Sequence, residues 1–194
     1  MIDDVAAVLL AAGGGSRFDG PTHKLLAPLH GRPVVAHALD ALRRTGFTNI
    51  VVVVGAVELP SDVDPTGLVV VSNPDWAAGQ ATSVETAIAV VRDLTVDAVV
   101  VGLGDQPFIS PDAWRDVART PSPIAVATYG GVRGNPVRLH RSIWDLLPRE
   151  GDQGARSLMR LRPELVSEVA CPGSPADIDT MEDLQRWNSS TNSR

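Results

Sequence analysis

The sequence predicts one α/β domain built on a mainly parallel, mixed β-sheet. Apolar runs that end at glycine alternate with segments of helical periodicity, and 44% of the 194 residues are hydrophobic. A chain of this length can bury a sizeable core, and strands separated by helices form right-handed βαβ units. We expect the domain to span residues 1–187, followed by a disordered polar tail over 188–194.

The first half of the chain supplies the parallel part of the predicted sheet. Short continuous apolar runs are typical of strands buried on both faces, and they occur at 5–11, 50–54, 68–71 and 98–101. A helix is expected at 34–44, and another at 111–117 after Ser110. Between them, Thr82-Ser83-Val84-Glu85 fits a capping box that opens a helix running to Arg92.

After residue 120 the elements become shorter and one strand reverses direction. A strand at 124–128 and an antiparallel return at 135–139 flank a turn at Tyr129-Gly130-Gly131. Short helices follow at 142–147 and 155–161, then a strand at 166–170 and a last helix at 181–187. Since no repeat or long linker divides the chain, we predict a single domain with a mixed sheet.

The composition excludes several classes of protein. One cysteine cannot form an internal disulfide framework or a cysteine-based zinc site. No apolar run is long enough to span a bilayer, and acids stand where a signal peptide has bases. A net charge of −6 without a basic stripe argues against duplex nucleic acid as a partner. We therefore expect a soluble cytoplasmic protein, whose pockets can still attract a small anion.

A glycine-rich loop follows the first predicted strand. Glycines at a strand end let backbone N–H groups converge on an anion, and here they are Gly13, Gly14 and Gly15. Arg17 and Lys24 add positive charge beyond them. The loop matches neither the Walker A spacing nor the dinucleotide-binding spacing. Glycines alone equally suit a flexible connection, and the two bases favour a phosphate site without identifying its ligand.

Two aspartates lie where a site of this fold class is expected. Asp105 follows the strand at 98–101, at the carboxyl edge of the sheet where open α/β folds bind ligands. A turn residue is the alternative for Asp105. Asp179 precedes the last helix, where an acid near the N-cap is the alternative, and Asp177 is nearby. The four histidines show no metal-ligand spacing, so we interpret them as surface or packing residues.

Six strings resemble one enzyme family in the right order. LAAGGGSRF followed by KLL is similar to the signature L-A-A-G-x-S-x-R-(M)-G-x-x-K of nucleotidyltransferases that make dinucleotide forms of the molybdenum cofactor. The other strings are NPDWAAGQATSV, GDQP, RGNPVRL, GDQGARSLM and DIDTMEDL. The match runs from about residue 5 to 187. The chain thus resembles the MobA/MocA-like nucleotidyltransferase family, which implies a single three-layer domain of the Rossmann-like nucleotidyltransferase fold.

The resemblance also implies a reaction. Family members with L-A-A-G tend to use CTP and those with L-A-G-G tend to use GTP, so Ala12 indicates cytidylyl transfer. The strings GDQGAR and DID are similar to the same branch. The implied enzyme is a molybdenum cofactor cytidylyltransferase, which transfers CMP from CTP to the terminal phosphate of molybdopterin and releases pyrophosphate. Mg²⁺ would be its cofactor, and a molybdoenzyme would receive the product.

The family resemblance implies roles for the residues at the matching positions of this sequence. Arg17, Lys24 and Asp105 are the implied catalytic residues: Arg17 for the β- and γ-phosphates, Lys24 for the α-phosphate. Asp105 and Asp179 match the Mg²⁺ ligands. The implied nucleotide-binding residues are Leu10, Ala11, Ala12, Gly13, Gly14, Gly15, Ser16, Arg17, Lys24, Asn73 and Ser83. The implied acceptor-binding residues are Arg133, Asn135, Asp152 and Gln153.

Two departures from the family pattern keep alternatives open. The segment between Arg17 and Lys24 is two residues longer than the usual spacing, and Asn135 stands where the family has histidine. The protein could use GTP or a different phosphorylated acceptor. It could also be a non-catalytic protein that binds molybdenum cofactor or inserts it into an enzyme. The retained bases and acids favour the enzyme, because a simple binder needs no complete phosphate and metal set.

Overall fold

The chain folds around a seven-stranded sheet with helices on both faces. The computed structural model describes residues 2–190. Its strands are β1 (Ile2–Ala11), β2 (Pro28–Leu29), β3 (Arg32–Pro33), β4 (Phe47–Val54), β5 (Val69–Ser72), β6 (Ala98–Leu103), β7 (Ile124–Tyr129), β8 (Val132–His140) and β9 (Val166–Ala170). Its α-helices are α1 (Val34–Arg43), α2 (Gln80–Val91), α3 (Pro111–Arg119), α4 (Arg156–Leu161) and α5 (Met181–Ser189).

The large sheet has the order β5-β4-β1-β6-β8-β7-β9, and β2 pairs with β3 in a separate hairpin. Within the large sheet only β8 runs against the other strands, since both of its neighbours pair with it antiparallel. The predicted mainly parallel, mixed sheet is therefore confirmed. β1 lies between β4 and β6, which brings the loops after β1 and β6 to the same carboxyl edge.

The sheet is covered on both faces, as the continuous apolar runs predict. Along β1, Ala7 and Leu9 face a core with α1 and α3, and Val8 and Leu10 face a core with α2 and α4. Successive strand residues point to opposite faces, so a run that is apolar throughout requires a cover on each side. The result is three layers, with β1 buried in the middle.

A smaller cluster fixes the C-terminal helix. Leu29 of the β2–β3 hairpin packs with Ile178 and Leu184. The Asn188 amide donates to the carbonyl of Pro28 and accepts from the backbone N–H of His30. These contacts continue α5 to Ser189, two residues beyond the end predicted for the last helix. Residues 191–194 lie outside the part of the chain that the structure describes.

Helix α2 begins earlier than the sequence predicts. Its N-cap is Gly79, and the capping box expected at Thr82 does not form. A tertiary contact replaces it: the N–H of Ala81 donates to the carbonyl of Gly151, whose own N–H donates to Ala78. A Cβ on Gly79 would lie 2.4 Å from the carbonyl carbon of Gly151, so only glycine allows this approach.

Other predicted elements agree with the structure within a few residues at their ends. The segment predicted as a helix at 142–147 is a 3₁₀ helix, Arg141–Leu146. Ser110 caps α3, its Oγ accepting from the N–H of Ala113. Within residues 2–190, the longest apolar helices are still too short or too polar to cross a membrane.

We expect Gly102→Ala to lower the free energy of unfolding by about 1–3 kcal/mol, the usual effect of overfilling a core. A methyl group on Gly102 would lie 2.5 Å from Cζ2 of Trp114. Urea unfolding measures the change. In a Trp114→Phe background the same substitution should destabilise less, because phenylalanine lacks the second ring. Equal losses in both backgrounds would contradict this origin.

Candidate active site

A cavity of about 440 Å³ opens beyond the carboxyl ends of β1 and β6. The glycine-rich loop that follows Ala11 forms one wall, and the start of α2 forms another. Predicted nucleotide-binding residues on its lining are Leu10, Ala11, Ala12, Gly13, Gly14, Ser16, Arg17, Lys24 and Ser83. Asp105 also lines it. The structure thus brings together most of the predicted nucleotide set in one concave space.

Lys24 joins the two predicted metal ligands. Its Nζ donates to Oδ2 of Asp105 at 2.5 Å and to Oδ1 of Asp179 at 2.8 Å. All three side chains are largely buried, with 11% of Lys24, 15% of Asp105 and 13% of Asp179 exposed. Lys24 is also the only lysine among the 17 basic residues. One ammonium group therefore bridges two carboxylates that come from distant parts of the chain, and it balances only one of their two negative charges.

The charges of this cluster shift the pKa values around it. Burial alone would lower the pKa of Lys24, but Asp105 and then Asp179 hold it above its ordinary value. Lys24 is therefore charged at neutral pH. Burial and the neighbouring charge of Asp179 raise the pKa of Asp177. Neither Asp177 nor Asp179 is on the cavity lining, whereas Asp105 and Asp152 are.

The carboxylates fit a hard divalent cation. Oδ1 of Asp105 is buried and has no hydrogen-bond partner, so it is an acceptor without a donor. Within residues 2–190 no three acidic, histidine or cysteine side chains form a metal-binding group. Mg²⁺ commonly binds through one or two carboxylates, with water and phosphate oxygens completing its shell. Asp105 and Asp179 together meet that requirement.

Arg17 reaches the cluster from the solvent side. Its Nη2 lies 2.8 Å from Oδ2 of Asp179, while 73% of its side chain is exposed. Solvent screens the guanidinium end of this pair, and Asp179 keeps its bond to Lys24 when Arg17 moves away. Arg17 can therefore leave Asp179 for an incoming phosphate at small cost, which suits the role that the sequence implies for it.

The structure separates two residues that the sequence groups together. Ser83 lines the cavity, but Asn73 lies behind its wall. Nδ2 of Asn73 donates to the hydroxyl groups of Thr82 and Ser83 at 2.8 and 2.9 Å, and its Oδ1 accepts from the N–H of Asp75. Because these bonds occupy its amide, Asn73 orients Ser83 instead of facing the cavity. Gly15 is likewise absent from the lining.

A second cavity, of about 360 Å³, adjoins the first. Its walls include Val84, Val101, Val126, Val137, Leu139 and Met159, and its polar lining includes Arg133, Asn135, Gln153, Arg156 and Arg160. Three of the four predicted acceptor residues thus meet here. The fourth, Asp152, lines the glycine-loop cavity instead. Gln80 borders both cavities, so a ligand in one can reach a ligand in the other.

Several residues of the site do not stand out in the sequence. Trp76 and Gln80 line the glycine-loop cavity, and only the NPDWAAGQ string marks their segment. Gln106, which is buried, accepts from Asn135 Nδ2 at 3.1 Å and donates to the carbonyl of Pro175 at 3.0 Å. It therefore ties the loop after β6 to the acceptor cavity and to the segment before α5. The GDQP string was the available signal for Gln106.

Comparison with known proteins agrees with this geometry. The MobA-like NTP transferase domain matches residues 7–169. Nicotine blue oxidoreductase of Paenarthrobacter nicotinovorans is 31% identical over 199 aligned positions, which cover 94% of this chain and 95% of that protein.

Solved structures share both the fold and part of the sequence. Rv0371c from Mycobacterium tuberculosis H37Rv has a TM-score of 0.83 and 28% identity, and the alignment covers 97% of this chain and 100% of that one. A crystal structure of Rv0371c in complex with manganese has a TM-score of 0.73 and 28% identity, covering 96% of this chain and 99% of that one. The domain match, which extends over most of the sequence, shows that the chain belongs to the MobA-like NTP transferase family.

Proposed function

We propose that the protein transfers CMP from CTP to the terminal phosphate of molybdopterin, releasing pyrophosphate and forming the cytosine dinucleotide. The family supports the broader activity, nucleotidyl transfer. The observation that carries the proposal is the pair of adjoining cavities. One is lined by glycines, Arg17, Lys24 and Asp105. The other is rimmed by arginines and meets the first at Gln80.

The reaction needs positioning and charge neutralisation more than acid–base chemistry. A phosphate oxygen of the acceptor attacks the α-phosphorus, and pyrophosphate leaves. The Lys24 ammonium has three protons, and two are directed to Asp105 and Asp179. The third is available to the α-phosphate, while Arg17 and the loop amides neutralise the leaving pyrophosphate. When bound at Asp105 and Asp179, Mg²⁺ would supply Lewis-acid stabilisation of the phosphate oxygens.

The second cavity suits a ring system that carries anionic groups. Its aliphatic walls accept the faces of a ring, and Arg133, Arg156 and Arg160 can pair with phosphate. Asn135 keeps its Oδ1 for a ligand, because its Nδ2 donates to Gln106. A pterin phosphate has both the ring and the anion, as do other phosphorylated heterocycles. Molybdopterin is proposed among these because of the matching acceptor strings.

The choice of CTP depends on Ala12. Ala12 lines the cavity, and its side chain is buried against Gly55. The test measures pyrophosphate release by purified protein with Mg²⁺, molybdopterin and each nucleoside triphosphate in turn. We expect kcat/KM for CTP to exceed that for GTP by about 10-fold or more, the scale of discrimination that one methyl group allows. Faster release of pyrophosphate from GTP would overturn the CTP assignment. No release with any acceptor would overturn the proposed nucleotidyl transfer.

A second candidate follows from the relative that covers nearly the whole chain. That relative is named nicotine blue oxidoreductase, and the aliphatic cavity can also hold a planar aromatic molecule. The competing activity is reduction of such a molecule by NADH or NADPH. An assay that follows the absorbance of NADH or NADPH at 340 nm, with nicotine blue as the acceptor, distinguishes the oxidoreductase from the nucleotidyltransferase. Turnover in that assay without pyrophosphate release from any nucleoside triphosphate would favour the oxidoreductase.

A further inference from the structure

His23 lies in the segment between Arg17 and Lys24, which is two residues longer than the usual family spacing. Its side chain contacts the glycine-rich loop. Its Nε2 lies 3.0 Å from the carbonyl oxygen of Gly13. Its Nδ1 lies 3.3 Å from the backbone nitrogen of Leu25, which donates to it. Because a carbonyl only accepts, Nε2 must carry the proton and Nδ1 must be the acceptor. Both ring nitrogens of a neutral imidazole are therefore used.

The ring also lies near the next two glycines of the loop. The carbonyls of Gly13 and Gly14 both act to raise the pKa of His23, against the larger effect of burial, which lowers it. The ring also packs closely on the next residue: a Cβ on Gly15 would lie 3.1 Å from Nε2 of His23. The imidazole thus covers three consecutive glycines from one side.

The geometry of the peptide bond gives this contact a consequence. In a planar trans peptide the C=O and the following N–H point in opposite directions. Because the carbonyl of Gly13 is directed to Nε2 of His23, the N–H of Gly14 turns away from the imidazole. Gly13 and Gly14 line the glycine-loop cavity, whereas His23 is not on its lining.

We propose that His23 is a positioning residue, which fixes the glycine-rich loop so that the backbone N–H of Gly14 faces the cavity as part of a polyphosphate site. The inference rests on the proposed function for the nature of the ligand. It adds a role for the longer segment, which supplies the imidazole from the side opposite the phosphates. Adjacent backbone N–H groups directed to one point form an anion-binding concavity. His23 makes no contact with the nucleotide, and it acts through the loop.

The test compares His23→Leu and His23→Gln with the unaltered protein. Leucine removes both hydrogen bonds, whereas the glutamine amide can still donate to Gly13. The probes are CTP, inorganic tripolyphosphate and cytidine, with binding followed by isothermal titration calorimetry. We expect His23→Leu to weaken the binding of CTP and of tripolyphosphate about tenfold. That is the scale of one lost hydrogen bond between a backbone N–H of the loop and a charged phosphate. Cytidine affinity should not change, and His23→Gln should restore most of the loss.

Thr22→Ala is the matched control, because Thr22 is an exposed neighbour in the same segment; it should bind all three probes as the unaltered protein does. Tripolyphosphate binding that is unchanged in His23→Leu would overturn the inference, as would an equal loss for cytidine. Tripolyphosphate contains no base and needs no acceptor. The result for His23 therefore stands apart from the proposed function, whose failure would appear as absent pyrophosphate release.

Discussion

Asp105→Asn is expected to reduce pyrophosphate release by about 100- to 1000-fold, the scale of removing one group that stabilises transition-state charge. Asparagine has nearly the same shape, so the change removes charge with little change in volume. The buried Oδ1 of Asp105 has no hydrogen-bond partner, so it is the oxygen that we expect to bind the metal. The substitution weakens that bond, because a neutral amide is a poor ligand for a hard cation. The loss should appear in kcat more than in KM for the nucleotide.

Binding of Mn²⁺, followed by electron paramagnetic resonance, provides a readout independent of turnover. Asp105→Asn should weaken Mn²⁺ binding in the presence of CTP. The matched control is Asp112→Asn, since Asp112 is 68% exposed and pairs with Arg115 on the surface of α3; it should alter neither measurement. If Asp105→Asn released pyrophosphate at the original rate, Asp105 would have no part in metal binding or catalysis.

The order of strands and helices was largely predictable, because it follows from local pattern. The run at 5–11 is apolar without alternation, and only a strand covered on both faces explains it. The edge position of β9 and the place of β8 beside β6 are not local properties. They depend on which faces remain to be covered once the parallel strands have paired. The early start of α2 at Gln80 depends on Gly151, which is remote in sequence.

The site was predictable in its parts more than in its contacts. Glycines after one buried strand and Asp105 after another indicate a shared edge, because β1 and β6 are neighbours. The resemblance supplied Asp179. Contact between Lys24 and Asp179 spans 155 positions, and no local rule predicts it. Sequence alone also could not show that Asn73 is engaged behind the wall, since its partners are set by the packing of α2.

Lys24→Met is expected to have two opposite effects. Pyrophosphate release should fall about 100- to 1000-fold, because the α-phosphate loses a charged hydrogen-bond donor. Mn²⁺ binding without nucleotide should instead become tighter. The ammonium now donates to Oδ2 of Asp105 and Oδ1 of Asp179, and a cation bound at the same two carboxylates competes with it for their negative charge. Each charged hydrogen bond removed from that competition corresponds to about a tenfold gain in affinity.

The same substitution should make stability depend on metal. Two largely buried carboxylates would lose their shared partner, and removing one side of a buried ion pair costs about 3 kcal/mol. We expect a lower melting temperature for Lys24→Met without added metal, and recovery when Mn²⁺ is added. Arg32→Met is the control, because it removes a cation from the exposed pair with Asp40. It should leave Mn²⁺ affinity and the melting temperature nearly unchanged.

The single lysine also allows a direct observation in the unaltered protein. Selective ¹³C labelling of the lysine ε-carbon yields one side-chain signal, because Lys24 is the only lysine in the sequence. Adding CTP with Mg²⁺ should shift this signal, because the third proton of the ammonium turns to the α-phosphate and the metal changes the charge at both carboxylates. A signal that stays in place, together with an unchanged Mn²⁺ affinity in Lys24→Met, would contradict competition at these oxygens. A shift in the unaltered protein, together with tighter Mn²⁺ binding in Lys24→Met, would support competition between the ammonium and the metal for the two carboxylates.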